Sequence, residues 1–300
     1  MLRRLSALLL ATAMATGLSQ PANAATSGTL FGALVSPTGG ETFAAALARE
    51  DARYGRMPIS RVFNPGPVKP WPGNAGMSKR PVVVSFKYAP RDVIAGTYDR
   101  GLRAFFAGAP RSYDVFWSYI HEPEDNIARH EFTAADYRTA WQHIAGLAKA
   151  AAGGNNHLRS TLILMCYTMN AASGRNWHDY YVASAQSMLS FDCYNHAGKK
   201  NLYGDPATIF KPITTWAAAN RGIAWGVSEV GSTLSSTDPA GANRAVWLRG
   251  VGAFLARQHA ARRSAAIFGI YFDAVGPSGT DYRLTDSRSK AAWRDVVQNY

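Results

Sequence analysis

The segment Val115-Phe-Trp-Ser-Tyr-Ile-His-Glu-Pro123 joins an apolar run to a polar, acidic end. The run Val115–Ile120 is almost continuously apolar or aromatic, as is typical of a β-strand buried on both faces. Further along, Thr133-Ala-Ala-Asp136 has the spacing of a helix capping box, and a helical pattern runs from Tyr137 to Ala151. The segment therefore predicts a strand followed by a helix, the repeating unit of a parallel α/β fold.

The same unit recurs along the chain. Seven further apolar, β-prone runs precede or follow it, namely Leu30–Val35, Ile59–Phe63, Val82–Phe86, Leu162–Tyr167, Met188–Phe191, Ile223–Val227 and Ile267–Phe272. Helix starts are predicted at Asp205-Pro206 and Asp238-Pro239, and helix ends at Gly153-Gly154 and Gly222. Eight strands with helical crossovers favour a single closed (β/α)8 barrel, the TIM barrel.

The alternative is a doubly wound open sheet. That fold binds nucleotides through a glycine-rich turn directly after its first strand. Here the corresponding turn, Ser36-Pro-Thr-Gly-Gly40, lacks the G-x-G-x-x-G spacing. The barrel therefore remains the favoured fold.

Composition limits the class of protein and its partners. The chain has 300 residues, of which 47% are hydrophobic and 17% charged, so it can bury a large core and is not disordered. Its net charge of +12 suggests anionic neighbours such as cell-wall polymer, a membrane surface or nucleic acid. The basic residues are dispersed, with the densest clusters at Arg262-Arg263 and Lys199-Lys200, which argues against nucleic acid. We expect electrostatic association with an anionic cell wall.

Residues Met1–Ala24 have the composition of a secretion signal peptide. Arg3 and Arg4 form a basic start, Leu5–Leu18 is mostly apolar, and Ala22-Asn-Ala24 resembles a cleavage site. We predict a secreted domain of residues 25–300, with an uncleaved anchor as the alternative, and no membrane span after cleavage. The two cysteines, Cys166 and Cys193, either form one bridge or are two buried thiols.

Carboxylates follow four of the predicted strands. Catalytic residues of barrels lie at the carboxyl ends of the strands, where this chain places Glu122, Asp192, Glu229 and Asp273. Glu122 and Glu229 end the fourth and seventh strands, which lie across the barrel from each other. A protonated and an ionised carboxyl group on the two sides of a glycosidic bond are the requirement for glycoside hydrolysis.

Four segments of the chain resemble glycoside hydrolase family 26, a clan A family that includes β-mannanases. They are His121-Glu122, the stretch Trp177–Asn195, Ile223-Ala-Trp-Gly-Val-Ser-Glu-Val-Gly231, and Tyr271-Phe-Asp273 followed by Asp281-Tyr-Arg-Leu284. The resemblance covers the chain from Val115 onward. It differs at Ser118, where the family commonly has arginine, and at Pro123-Glu124, which replaces a Met-Asn pair.

The resemblance implies a role for each acid. Glu122 would be the acid/base and Glu229 the nucleophile, supported by the Tyr194 hydroxyl. Glu124 is the alternative acid/base, although its position predicts that it faces solvent. We predict further substrate-binding or supporting roles for four tryptophans, two aspartates and one histidine: Trp71, Trp117, Trp177, Trp225, Asp192, Asp273 and His121. Packing inside the fold is the alternative for each tryptophan.

Other catalytic classes lack their motifs. The histidines and cysteines show no zinc-binding spacing, and no G-x-S-x-G elbow is present, so we expect neither metal nor cofactor. The sequence predicts a secreted, monomeric retaining glycosidase that cleaves a β-linked polysaccharide, of the β-mannan or β-glucan class. The alternative is a non-catalytic carbohydrate- or wall-binding protein on an inactivated barrel.

Overall fold

The protein is a single closed barrel of eight parallel strands. The computed structural model describes residues 28–71 and 73–300, so the predicted signal peptide lies outside the described residues. The strands pair in chain order and β8 closes on β1. They are β1 Leu30–Leu34, β2 Ile59–Asn64, β3 Val82–Phe86, β4 Val115–Tyr119, β5 Leu158–Met165, β6 Met188–Asn195, β7 Ala224–Ser232 and β8 Phe268–Tyr271. The (β/α)8 prediction is confirmed.

Helices surround the barrel on all sides but one. The described helices are α1 Phe43–Tyr54, α2 Gly73–Met77, α3 Pro90–Ile94, α4 Asp99–Gly108, α5 Pro123–Ala128, α6 Ala134–Ala152, α7 Ala197–Lys200, α8 Pro206–Ile209, α9 Lys211–Ala219, α10 Ala242–Ala261 and α11 Ser287–Asn299. Between β5 and β6 the chain forms only short 3₁₀ turns, at Cys166–Met169, Ala171–Ser173 and Trp177–Asp179. No described helix is long and apolar enough to cross a membrane.

The predicted helix signals agree with the structure at most positions. Thr133 and Asp136 form both hydrogen bonds of a capping box before α6, and Gly153 ends that helix in the left-handed conformation. Asp205 caps α8. Asp238 is different, because α10 begins later and the Asp238 carboxylate accepts from the backbone N–H groups of residues 242 and 244. Gly222 lies beyond the end of α9 in a connection and does not cap it.

The barrel interior changes character from one end to the other. Near the amino ends of the strands it is filled by apolar side chains, among them Ile59, Val83, Phe116 and Ile163. Further along the same strands the inward positions become small and polar, at Ser85, Ser118, Ser190 and Ser228. These small side chains leave room for larger polar groups toward the carboxyl ends. We call the end with the carboxyl termini of the strands the mouth, and the opposite end the foot.

The two cysteines are paired. A disulfide joins Cys166, directly after β5, to Cys193 on β6, and their Cα atoms are 5.0 Å apart. This resolves the alternative that the sequence left open. The bridge ties the irregular β5–β6 connection to the strand that also carries Asp192 and Tyr194.

Candidate active site

A cavity of about 460 Å³ lies at the mouth of the barrel. It is lined by Glu122, Glu229, His121 and Tyr194, together with the segments that follow β1, β2 and β8. Thus the structure brings together the two acids, the histidine and the tyrosine that the sequence nominated. Among the described residues, the two glutamates are the only acidic side chains that line it, and no described lysine or arginine does so.

Glu229 faces the interior because β7 contains a bulge. Phe191 of β6 pairs with Val227, whereas the next residue, Asp192, pairs with Glu229, so Ser228 is an extra residue in β7. Strict alternation would place Glu229 on the same outward side as Val227, which packs in the outer core. The bulge resets the alternation, so that Ser228 and Glu229 both reach the interior.

Two donors hold the Glu229 carboxylate. The Tyr194 hydroxyl donates a hydrogen bond to Oε2, and Arg61 Nη2 lies 3.4 Å from Oε1. Burial raises the pKa of Glu229 above its ordinary value, and the positive charge of Arg61 and the two hydrogen bonds offset only part of this rise. Burial, and then the charge of Glu229, raise the pKa of Tyr194, so this hydroxyl keeps its proton and remains a donor. The contacts therefore stabilise the ionised form of Glu229.

Glu122 has a different environment. Its side chain has no hydrogen-bond partner among the described residues, and its backbone lies in the left-handed region with φ 51°. Ile120, two residues earlier, also has a positive φ, of 40°. Such conformations are costly for residues other than glycine and cluster at functional sites. Burial, followed by the negative charges of Glu229 and Glu124, raises the pKa of Glu122 to about 8.

Arg61 is the functional residue that the sequence analysis missed. Its side chain is fully buried, and Nη1 donates to Ser85 Oγ at 2.8 Å and to the Val62 carbonyl at 2.8 Å. Ser85 Oγ in turn lies 3.3 Å from His121 Nδ1, so a chain of polar contacts runs from β4 to Glu229. The sequence offered one indication of this role, a lone arginine inside the apolar run of β2. A guanidinium buried there requires an acidic partner. The arginine expected at Ser118 is absent, and Arg61 supplies the guanidinium from another strand.

His121 lies at the edge of the cavity as a neutral ring. Burial, with the charges of Arg61 and Lys87, lowers its pKa well below the usual range. Its imidazole contacts the Phe63 ring edge-to-face, with the centroids 4.8 Å apart. The neutral ring can exchange hydrogen bonds with Ser85 on one side and with a substrate hydroxyl on the other.

Asp192 lies inside the barrel, behind the two glutamates. It is buried beneath Tyr194 on the inward face of β6, and Ser228 Oγ donates to its Oδ1 at 2.7 Å. Burial, and then the charges of Glu229 and Glu122, raise its pKa well above the usual range. Asp192 is absent from the cavity lining, so the structure places it behind the two glutamates and beyond the reach of a ligand in the cavity.

The expectation that Glu124 faces solvent is wrong. This residue is 2% exposed, and its carboxylate accepts from the Thr168 hydroxyl at 2.6 Å and the Met165 N–H at 2.8 Å. Because α5 begins immediately after Glu122, its first turn directs Glu124 toward the end of β5. Glu124 fastens the β5–β6 connection and does not line the cavity.

Three of the predicted sugar-stacking tryptophans are packing residues. Trp117 and Trp225 are 2% and 0% exposed between the barrel and its helices, so neither has a free face. Trp71 packs on α4, with its ring 5.6 Å from Phe105 and its Cβ against Gly108. Trp71 itself does not line the cavity, whereas Asn74, three residues later, does.

Trp177 and Asp273 also lie outside the cavity. Trp177 lines a separate hollow of about 800 Å³ on the outer wall, beside Trp216 of α9. The Asp273 carboxylate is buried and accepts from Arg53, from the Tyr54 hydroxyl at 2.8 Å and from the Leu284 N–H at 2.8 Å. It therefore joins β8 to α1 and to the segment before α11.

Other aromatic rings take the place that the tryptophans were expected to fill. Phe63, Phe272 and Tyr282 line the cavity around the two glutamates. Phe63 is 39% exposed, and the Tyr282 ring lies 4.6 Å from that of Tyr194. Phe63 lies in β2, Phe272 follows β8 directly, and Tyr282 lies in the connection from β8 to α11. Among the described residues, no group of three His, Cys, Asp or Glu side chains is arranged to hold a metal ion.

Comparison with solved structures identifies the same architecture in glycoside hydrolases. The chain is 13% identical to the family 26 endo-β-1,4-mannanase of Cellulomonas fimi, with a TM-score of 0.58 over 91% of this chain and 71% of that one. It is 16% identical to a family 128 endo-β-1,3-glucanase of Amycolatopsis mediterranei, with a TM-score of 0.53 over 90% of this chain and 100% of that one.

A xyloglucan-specific endo-β-1,4-glucanase from a metagenomic library is 12% identical, with a TM-score of 0.51 over 90% of this chain and 96% of that one. Likeness at these identities establishes the fold. No protein-family model matches the chain, and no curated protein matches its sequence.

Proposed function

We propose that the protein is a retaining glycoside hydrolase of the clan A kind. The observation that carries this proposal is the pair of glutamates in one cavity, one held by two donors and the other without a partner. Two carboxyl groups whose environments separate their pKa values are suited to act as nucleophile and as acid. The glycosidases with a similar fold support the same class of reaction.

Glu229 is the nucleophile in this proposal. Ionised and oriented by Arg61 and Tyr194, it attacks the anomeric carbon while the glycosidic bond breaks. Glu122 is the acid/base, since its raised pKa keeps it protonated at neutral pH. It gives its proton to the leaving oxygen and then takes one from the water that releases the sugar from Glu229. Each carboxyl group thus returns to its starting state.

The substrate class is a neutral β-linked polysaccharide, of the β-mannan or β-glucan type. The cavity offers three aromatic rings for stacking on sugar faces, and its polar groups include Ser36, Asn74 and Ser278 for hydroxyl groups. Among the described residues that line the cavity, the two catalytic candidates are the only acidic or basic side chains. With Glu122 protonated, an anionic sugar would therefore meet the negative charge of Glu229 and no cation on the described lining.

A mechanism-based label tests the assignment. A 2-deoxy-2-fluoro glycoside with a good leaving group, matched to a substrate found by screening β-mannans and β-glucans, should add one sugar mass to Glu229. Peptide mass spectrometry locates the adduct, and proton NMR of the first product should show the retained anomer. Labelling of another carboxylate, or an inverted product, would contradict the mechanism. Binding of a glycan with no hydrolysis would instead support a non-catalytic carbohydrate-binding protein.

A further inference from the structure

The foot of the barrel carries a strong positive charge. All eight strands are parallel, so the connections that lead into them converge at this end. We call the surface formed by residues 55–58, 78–81, 109–114, 153–157, 220–223 and 262–267 the foot face. Its lysine and arginine residues are Arg56, Lys79, Arg80, Arg111, Arg221, Arg262 and Arg263, whereas its only acid is Asp114.

Little of this charge is neutralised within the protein. Arg80 forms an ion pair with Asp51, at 2.7 Å and 2.8 Å, and is the exception. The Asp114 carboxylate already contacts His157 Nδ1 at 2.7 Å and lies 3.9 Å from Arg159. It therefore does not offset the remaining cations.

Four of the cations have free, exposed side chains. Among the described residues, no acid or hydrogen-bond partner contacts the side chains of Arg56, Lys79, Arg221 and Arg263, and all four are exposed. The Arg111 and Arg262 guanidinium groups donate only to backbone carbonyls, so their charges also remain. Six unpaired positive charges at one end of a barrel repel each other unless an anion binds there.

The opposite end of the barrel is mixed in charge. The connection from β8 to α11 alone holds three acids, Asp273, Asp281 and Asp286, against one arginine, Arg283. The net charge of +12 is therefore not spread evenly over the molecule. Seven cations against one acid give the foot face a net charge of +6, half of that total, at the end of the barrel opposite Glu122 and Glu229.

The shape and composition of the foot face indicate the kind of anion. A hollow of about 790 Å³ lies in it, with Arg56, Lys79, His157 and the acid Asp114 among the lining residues. Of the exposed large hydrophobic side chains in the described chain, only Tyr300 lies at this end, beside Gly28 and Phe31, and a single ring offers little apolar surface to insert into a bilayer. A water-soluble anionic polymer is therefore favoured over a membrane surface.

We propose that the foot face binds a phosphate-bearing polymer, and that the catalytic mouth points away from it. Three of the four free cations are arginines, whose planar guanidinium groups match the geometry of phosphate oxygens. The strands separate the two ends by about 17 Å, five residues at about 3.3 Å each. An enzyme held by its foot would keep its active site open to a neutral glycan. This proposal does not depend on the catalytic assignment.

Binding to long-chain polyphosphate at increasing NaCl concentrations tests the proposal. The wild-type protein is compared with the triple variant Arg56→Gln/Lys79→Gln/Arg263→Gln. The variant should bind about tenfold more weakly or worse at low salt, and the slope of log K against log salt should become shallower by about 2 to 3. The thermal midpoint of unfolding confirms that the variant is folded.

A matched control removes the same charge elsewhere. Arg100→Gln/Lys199→Gln/Lys200→Gln changes three exposed cations on helices near the mouth, none of which has a side-chain partner among the described residues. Its affinity and salt slope should remain near the wild-type values. Equal losses in the two variants would show that only net charge matters and would overturn the proposal. So would the absence of polyphosphate binding, or equal binding to polygalacturonate, or preferential binding to vesicles of 70% phosphatidylcholine and 30% phosphatidylglycerol.

Discussion

The ends of β4 and β7 each present a glutamate to the same cavity, yet the two side chains have opposite surroundings. Glu229 is held by Arg61 and Tyr194, whereas Glu122 has no side-chain hydrogen bond and sits on a left-handed turn. Both are removed from water, which raises both pKa values. Only at Glu229 do hydrogen bonds and a guanidinium charge oppose this rise in pKa. Hydrogen-bonding and charged partners, more than burial, therefore decide which carboxyl group serves as the nucleophile and which as the acid/base.

The largest expected effect is that of Glu229→Gln. The amide keeps the shape of the side chain but cannot form the covalent intermediate, so kcat should fall by roughly 10⁴- to 10⁶-fold. Steady-state hydrolysis of the best β-glycan measures this loss. Glu131→Gln, an exposed acid outside the cavity, is the control and should retain wild-type activity. A loss below tenfold would exclude Glu229 as the nucleophile.

Glu122→Gln should have the next largest effect, because it removes only proton transfer. We expect kcat to fall about 10²- to 10⁴-fold on substrates with poor leaving groups, and much less on an activated aryl glycoside. Azide should restore turnover by replacing the water that no longer has a base. A uniform loss across all leaving groups would contradict its role as the acid.

The pH dependence of the hydrolysis rate should also reflect Glu122. Wild-type activity requires protonated Glu122, whose pKa is raised to about 8, so the rate should fall as the pH rises through about 8. The acid limb reflects the ionisation of Glu229, and the rate should fall as the pH drops through that pKa. In Glu122→Gln the alkaline limb should disappear while the acid limb remains. An alkaline limb that persists unchanged in this variant would assign it to another group.

Arg61→Met removes the asymmetry between the two glutamates. The pKa of Glu229 should rise because its positive neighbour is lost, so the acid limb of the pH profile should move to higher pH. We expect kcat/KM to fall about tenfold to a hundredfold at neutral pH, or about 1.4 to 2.7 kcal/mol. Tyr194→Phe, which removes a neutral donor, is the companion variant and should shift the limb less. An acid limb that does not move would show that Arg61 does not set this pKa.

The smallest effect on activity is expected at the buried tryptophan Trp117. Trp117→Leu leaves the cavity lining intact, so kcat/KM for the folded protein should change less than twofold. Stability should decrease by about 2 to 4 kcal/mol, because a large side chain is lost from the core. Denaturant unfolding and kinetics on the same preparation separate the two effects. A raised KM with unchanged stability would restore Trp117 as a substrate-stacking residue.

The sequence predicted the fold closely because barrel strands are buried on both faces. Val82–Phe86 was predicted with its observed bounds, since it is a β-prone run, apolar except at Ser85, between Pro81 and Lys87. The predictions for β6 and β7 stopped at Phe191 and Val227, whereas the strands continue to Asn195 and Ser232. The last residues of β6 and β7 include the polar residues of the site. These residues are buried, but a polar sequence does not indicate burial. The ends of these two strands were therefore missed because they carry the polar residues of the site.

The sequence nominated the acids but could not orient the side chains around them. Glu122 and Glu229 were identifiable because an acid after an apolar strand has a desolvation cost that requires a reason. The tryptophans were less informative, because a large aromatic ring is equally suited to a core and to a sugar-binding surface. Trp117 and Trp225 pack inside, while Phe63 and Tyr282 face the cavity. The face of the strand decides the orientation of Trp117, Trp225 and Phe63, and the path of the connection from β8 to α11 decides that of Tyr282.

By itself the sequence determined the number and order of the strands, the helix caps at Thr133, Gly153 and Asp205, and the two candidate acids, because these depend on local pattern. Only the tertiary structure decided that a bulge at Ser228 directs Glu229 inward and that Arg61 reaches it from another strand. It also decided that the disulfide forms, that Glu124 turns inward and that the unpaired cations share one face. These features depend on contacts between residues far apart in the chain, and their spacing in sequence carries no information about such contacts.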